Sequence, residues 1–252
     1  MNGTDRPLHA SGRGSAASQR PISGLVYIST SDTIKLDQPA MRAKRTRQAT
    51  ITGARLMHEQ LVQNGKRTYP VMVTLTYAAL GMWSSRHVTR YLKNCREWFR
   101  RRNESFHYCW VAELQKRGAV HYHVMIWMPK GYRLPKPDKC GWWPHGMTRI
   151  EKARNAVGYL AKYVSKDALR VDFPKGLRLH GRGGLSTNSQ VELRWWCSPS
   201  WARRWTKSIC DVRRFSGGGF IRNDTGEWRP SPYRVILVNG HRYLIEIGDM
   251  GL

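Results

Sequence analysis

The chain has 252 residues, with 43 Lys and Arg against 17 Asp and Glu and a formal net charge of +26. That length suits one large domain or a medium one with appendages. The charge points to a polyanionic partner, with a ribosomal type of protein or a merely very soluble one as the plain alternatives.

Residues 1–24 are rich in Ser, Gly, Arg and Ala and are predicted to be disordered, as part of a basic segment ending near residue 45. The cluster Arg42-Ala-Lys-Arg-Thr-Arg47 leads into a predicted helix over Gln48–Gln63, stopped at Asn64-Gly65. That cluster suits a solvated helix start and a contact for DNA phosphates equally well. Val71–Tyr77 reads as a strand, and Ser85–Arg102 as a helix with Val88, Tyr91, Leu92, Cys95 and Trp98 inward. Arg100, Arg101 and Arg102 at its end complement the helix macrodipole and need no ligand to explain them.

Two strands follow, over Phe106–Glu113 and Ala119–Met128, with Gly118 in the turn between them. Next come a Pro/Gly-rich loop over Pro129–Gly146, a strand over Met147–Ile150 and a helix over Lys152–Lys166. Further on, Gly181–Gly184 and Phe215–Phe220 read as flexible loops. Arg234–Ile247 reads as a β-hairpin turning at Asn239-Gly240. This order predicts an α+β fold with helices packed on a sheet.

No apolar run approaches a membrane span and no signal-peptide core opens the sequence. Five Cys (95, 109, 140, 197 and 210), an odd number without a Cys-x-x-Cys pair, argue against a disulfide framework or a zinc ribbon. A soluble protein of the reducing cytoplasm is therefore expected. There is no internal repeat and no phosphate-binding loop, so no helicase motor is expected within the chain.

Two constellations carry chemistry. In Tyr159-Leu-Ala-Lys162-Tyr163-Val-Ser-Lys166, helical spacing puts Tyr159, Lys162, Tyr163 and Lys166 on one stripe. Val157, Leu160, Ala161 and Val164 form the opposite, buried face, which leaves the tyrosine stripe for solvent or phosphate. In the strand before the loop, His121 and His123 project from one face, continued by Met125 and Trp127, while Tyr122, Val124 and Ile126 form the other. Apolar residues on both faces predict a central strand covered on both sides. A hairpin between the two strands returns Glu113 beside the histidines, and two imidazoles with a carboxylate make a divalent-metal site with open positions. Cys140 and His145 are further candidates for a zinc site there, although loop residues of these types are more often bystanders.

With their order and separation, these residues resemble the HUH-type rolling-circle replication initiators (Rep endonucleases), in the two-tyrosine form known from small single-stranded DNA phages and related plasmids. Val73-Thr74-Leu75-Thr76-Tyr77 looks like the first family motif, His121-Tyr122-His123 like the second and Tyr159–Lys166 like the third. Glu113 falls where related initiators carry a third metal ligand. The resemblance covers roughly residues 68 to 170. It implies an HUH endonuclease domain over 46–170, ferredoxin/RRM-like, with an antiparallel sheet whose central strand carries the His pair. The basic, Trp-rich region 171–252 and the first 45 residues are then extensions.

The resemblance further implies metal-dependent nicking and rejoining of single-stranded DNA at an origin. Glu113, His121 and His123 would hold Mn2+ or Mg2+, and Tyr159 or Tyr163 would form a 5′-phosphotyrosine and free a 3′-hydroxyl. Lys162 and Lys166 would favour the phenolate and hold phosphate. Single-stranded DNA, the origin, and a host helicase and polymerase in a bacterial cytoplasm are the implied partners. Trp142-Trp143, Trp195-Trp196 and Trp201-Ala-Arg-Arg-Trp205 interleave rings with cations, which suits stacking on single-stranded bases; about half of the tryptophans are expected in the core. The rival readings are an HUH transposase or relaxase, a non-catalytic single-stranded DNA-binding regulator, and an iron oxygenase using two His and a carboxylate.

Overall fold

The computed structural model describes residues 33–166 and 173–247, with the side chains of Ser165 and Lys166 outside that description. The segment 1–32, most of the stretch expected to be disordered, also lies outside the described residues. The fold is α+β, with antiparallel sheets and five helices among the described residues.

A short strand β1 (Thr33–Lys35) precedes α1 (Gln38–Gln63), which starts ten residues before the predicted helix. Its start signal is local: Asp37 accepts from the Ala40 amide at 2.9 Å, and Pro39 sits in the first turn, where its missing N–H costs nothing. The cluster Arg42–Arg47 is thus part of the helix itself. After β2 (Thr68–Thr76), α2 (Ser85–Arg100) buries Val88, Tyr91, Leu92 and Cys95 as predicted. Its fifth buried residue is Phe99 rather than Trp98, which is half-buried beneath the Arg102 guanidinium at 3.8 Å.

The hairpin strands are β3 (Tyr108–Leu114) and β4 (Val120–Pro129), followed by β5 (Thr148–Lys152) and α3 (Ala156–Lys166). The last helix begins four residues later than predicted, because Lys152 still belongs to β5 and Asn155 caps the new helix through Gly158 N–H at 2.9 Å.

The segment predicted as a loop at Gly181–Gly184 is mostly a strand, β6 (His180–Gly183). Its glycines leave room for rings: a Cβ on Gly181 would meet Trp110 Nε1 at 2.5 Å, and one on Gly183 would meet Tyr108 Cε1 at 2.5 Å. Trp110 and Tyr108 on β3 lie over those glycines, and such aromatic cover makes a glycine-rich edge viable. These strands form one antiparallel sheet in the order β5-β2-β4-β3-β6, with β4 in the middle.

One face of that sheet packs on α2 and the loop after β4, through Val71, Val73, Leu75, Tyr122, Val124, Ile126, Phe99 and Trp143. The other face, with Met72, Cys109, Val111, Met125 and Trp127, packs on α1 and α3. Leu160 of α3 is fully buried there. Leu160→Ala is expected to cost about 2–5 kcal/mol in chemical denaturation, as large-to-small changes at closed sites do. A loss near zero would mean that α3 is not held by this contact.

Beyond the sheet, α4 (Thr187–Trp196) is tied to α1: Gln60 donates to the Gly184 carbonyl at 2.7 Å and accepts from the Ser186 amide at 2.9 Å. Next come α5 (Ser200–Thr206) and a small sheet of β7 (Val212–Arg214), β8 (Phe220–Arg222) and β9 (Trp228–Arg229), around a minor core of Ala202, Val212 and Phe220. The predicted hairpin is present as β10 (Tyr233–Val238) and β11 (His241–Glu246), with β1 added as a third strand. Asn239 and Gly240 both have positive φ, 48° and 76°, as a type I′ turn requires. None of the described helices is long and apolar enough to cross a membrane.

His180 gives this fold an acid sensitivity. Burial, reinforced by Arg182 and Arg178, pushes its imidazole from 6.5 down to about 4. Between those values the unfolded chain binds the proton and the folded one does not. The stability present above 6.5 is therefore lost progressively as pH falls towards 4. In thermal melts, wild type is expected to lose ground to His180→Gln as pH drops through this window. A Tm difference independent of pH would show that His180 titrates alike in both states.

Candidate active site on the central strand

Alternation along β4 places His121 and His123 on the face covered by α1 and α3, at the end where apolar cover gives way to polar groups. The register builds the surroundings. Thr74 and Thr76 of β2 stand opposite His123 and His121, while Glu113 of β3 stands opposite His121. From there Glu113 reaches diagonally to His123, with Oε2 2.6 Å from Nε2. Thr74 Oγ1 lies 3.3 Å from Nδ1 of the same ring. With Glu113 ionised, Nε2–H donates to the carboxylate and Nδ1 accepts from the threonine hydroxyl. The His123 and Glu113 side chains are 5% and 14% exposed, so this pair is shielded from water.

His121 is in a different state. Burial first, then the neighbouring His123 and Arg117, push its imidazole down to about 4 against the pull of Glu113. It is neutral at physiological pH, and its Nε2 is buried without a hydrogen-bond partner. An orphaned buried nitrogen costs about 1–3 kcal/mol, which a ligand, an ion or a water at that point removes.

Two imidazoles and a carboxylate have the right donor chemistry for a divalent ion. They are not a closed cage: among the described residues, no three His, Cys, Asp or Glu side chains form a group ready to hold a metal. The proton shared by Glu113 and His123 occupies the place an ion would take, and the His121 and His123 rings stand at 72° with centroids 6.1 Å apart. Ion binding here therefore requires loss of that proton.

The tyrosine helix meets this site directly. The Tyr163 ring stacks on His123, with centroids 3.6 Å apart and planes at 15°. The buried line of α3 is Ala156, Leu160 and Val164, with Val157 and Ala161 only half-buried. Tyr159 and Tyr163 lie beside that line, half-buried against the same core, rather than on the opposite, solvent-facing stripe that helical spacing predicts. The polar end of the sheet makes this possible, because a phenol ring can rest on an imidazole where an aliphatic layer would give its hydroxyl no partner.

Lys162 is exposed, with Nζ over the Tyr163 ring at 5.9 Å from its centroid. The expectation for the Lys166 side chain falls outside the described residues. The Tyr163 phenol is pushed up by burial first, then by Glu113, Glu151 and Tyr159, and the cation that opposes the rise is Arg149. Arg149 and Glu151 come from β5 and were not among the sequence candidates. No local spacing marks them, since only the β2–β5 register puts Arg149 opposite Thr74.

The other candidates lie elsewhere. His145 stacks on His87 at 3.6 Å, beside Trp143 and Tyr77 on the opposite face of the sheet, and Cys140 Sγ contacts the Pro137 carbonyl. Of the eleven tryptophans only Trp110, Trp127 and Trp143 are buried. Several others hold the C-terminal lobe together: Trp195 donates to Thr206, Trp196 to Glu192 and Trp205 to Glu227, and Trp201 packs on Phe220. Those rings serve internal packing, and Arg203 lies over Trp195 and Trp196 rather than beside open space.

Comparison with known proteins bears on the same stretch of chain. No curated protein and no solved structure matches. A family model for replication-associated proteins of the ORF2 group matches residues 70–168, a span running from β2 to just past α3 and containing every residue of the site. Over that span the chain is similar to replication-associated proteins.

Proposed function

We propose that the chain is a replication initiator of the HUH two-tyrosine type, cutting and rejoining single-stranded DNA by tyrosine transesterification. The observation that carries this reading is the stack of Tyr163 on His123, itself bonded to Glu113, in a chain of net charge +26. An iron oxygenase would have no use for a phenol in that position or for such a charge.

In this reading Glu113, His121 and His123 hold a divalent cation, Mn2+ or Mg2+, which supplies Lewis-acid polarisation of the scissile phosphate when bound. The chain's own residues do the rest. Neutral His121 offers its lone pair without first releasing a proton. Thr74 fixes the His123 ring from the far side, and such outer partners orient a ligand. Tyr163 Oη attacks phosphorus; the new O–P bond replaces the bond to the 3′ oxygen, which leaves with a proton as the free hydroxyl, while the phenol proton passes to solvent.

Burial and two carboxylates hold the phenol proton in the free protein. The nucleophile is therefore quiescent until substrate and cation alter the local charge, with Arg149 as the residue that favours phenolate. The phosphotyrosine bond resembles the diester it replaces, so the reverse reaction rejoins DNA without another energy source. Tyr159, one turn earlier on the same half-buried edge, is the second phenol, and exposed Lys162 is placed to hold phosphate.

The test is formation of a covalent protein–DNA adduct on single-stranded DNA spanning the element's own origin, with Mn2+ or Mg2+, read on a denaturing protein gel. An adduct that needs metal and is absent from Tyr159→Phe/Tyr163→Phe is expected. Tight binding with no adduct in any metal would replace this reading with that of a non-catalytic single-stranded DNA-binding regulator.

A further inference from the structure

At the opposite end of the central sheet lies an open groove of about 950 Å³, formed where β2 begins, β4 ends and β5 closes the sheet edge. Arg67, Lys130, Arg133 and Lys152 supply four cations to its lining, Tyr69 and Tyr132 supply two rings, and no lining residue is acidic. The parts are held in place. The Lys130 amide donates to the Arg67 carbonyl at 2.9 Å, and the Tyr69 hydroxyl donates to the Tyr132 carbonyl. Lys152 Nζ sits 5.6 Å from the Tyr69 ring centroid, and the Tyr132 ring packs edge-on against Trp98. Aliphatic Val71, Leu134 and Ile150 complete the lining.

Cations that follow phosphates, with rings that can take a base, are the elements of a site for single-stranded nucleic acid. Position favours one long strand over a separate small ligand. Lys130, just past the end of β4, lies seven residues beyond His123, roughly 23 Å at a strand's rise per residue. Strand β5 forms the sheet edge between the two places, presenting exposed Arg149 on the histidine face and Lys152 on the groove face. An edge is the one route by which a flexible chain passes from one face of a sheet to the other.

We propose that this groove is a second single-stranded DNA subsite, which holds the strand flanking the segment at the tyrosines through phosphate contacts to Arg67, Lys130 and Lys152 and base contact with Tyr69. It rests on the proposed function only in taking single-stranded DNA as the substrate. The three cations are exposed, so their removal leaves the core untouched.

The experiment is fluorescence anisotropy with full-length protein carrying Tyr159→Phe and Tyr163→Phe, which removes cleavage from the readout. Wild-type groove and Arg67→Ala/Lys130→Ala/Lys152→Ala are compared on oligothymidylates of about 20 and about 6 nucleotides, the shorter able to cover only one subsite of the sizes usual for such grooves. Affinity for the longer strand is expected to fall at least about tenfold, and the slope of log affinity against log salt to fall by roughly 2, since each single-strand phosphate contact contributes about 0.7. The protein lacking Lys162 (Lys162→Ala) serves as a control with an unchanged groove.

Equal affinity and equal salt slope for the longer strand overturn the proposal. So does a loss confined to duplex DNA, or a loss of the same size on the shorter strand in every position tested. Failure of the adduct assay with the groove effect intact would count against the tyrosine chemistry alone.

Discussion

Tyr163→Phe is expected to lower the rate of adduct formation on a linear single-stranded origin by at least about 10³, equivalent to about 4 kcal/mol of barrier. Its ring is the one stacked on His123 and the one whose phenol feels Glu113, so loss of its oxygen removes the nucleophile and leaves the stack in place. Tyr159→Phe is expected to stay within about tenfold of wild type for the first cut, because a neighbouring phenol alters the field at Tyr163 rather than the bond being made. Its effect belongs to the second transfer, seen as a failure to release joined DNA. Single-turnover adduct formation, followed by gel for each variant, separates the two. If Tyr159→Phe stops the first cut and Tyr163→Phe does not, the assignment is reversed and the stack on His123 is a support, not the attacking group.

Glu113→Ala, in turn, is expected to reduce metal-dependent cleavage by about 10²–10³ while changing single-strand affinity by less than about threefold. The carboxylate faces His123 in a shielded site and touches none of the cations that would follow phosphates. A second readout is independent of cleavage. A cation that binds the folded site raises Tm, by about 2.7 kcal/mol of stabilisation at a hundredfold excess over Kd. Mn2+ is expected to raise Tm for wild type and not for Glu113→Ala or His121→Ala. Removing Glu113 also leaves His123 Nε2 unpaired, at about 1–3 kcal/mol, so Glu113→Gln serves as the folded control. Normal cleavage by Glu113→Ala would exclude it as a ligand, and an unchanged Mn2+ shift would place the cation elsewhere.

The different outcomes at particular residues have physical causes. Asp37 and Pro39 carry a start signal for α1 as legible as any in the chain, yet the cationic run after them has no apolar periodicity, and periodicity outweighed the cap in placing the helix at Gln48. The glycines of β6 read as loop because their own side chains say nothing about pairing. Their strand exists because Tyr108 and Trp110 of β3 cover them, which is a property of another segment. The exposed stripe expected of Tyr159 and Tyr163 follows from α3 alone. Their half-burial follows from what lies across from α3, a sheet end made polar by Thr74, Thr76, His121 and His123.

Within one element, then, the amino-acid order was sufficient. Alternation put His121 and His123 on one face, and the Gly118 turn aligned Glu113 with His121. Asn239-Gly240 defined a hairpin, and the excess of Lys and Arg marked a polyanion as partner. These are consequences of short-range geometry, the repeat of a strand, the spacing of a helix or the sign of a charge, and each is complete in a few neighbouring residues. Only the tertiary structure decided that Glu113 engages His123, that Tyr163 stacks on that ring, that Arg149 rather than a helix lysine opposes the rise in the Tyr163 phenol, and that Arg67, Lys130 and Lys152 share one groove. Each of those contacts joins segments whose register and packing are set by the whole core, so no local pattern could have carried it.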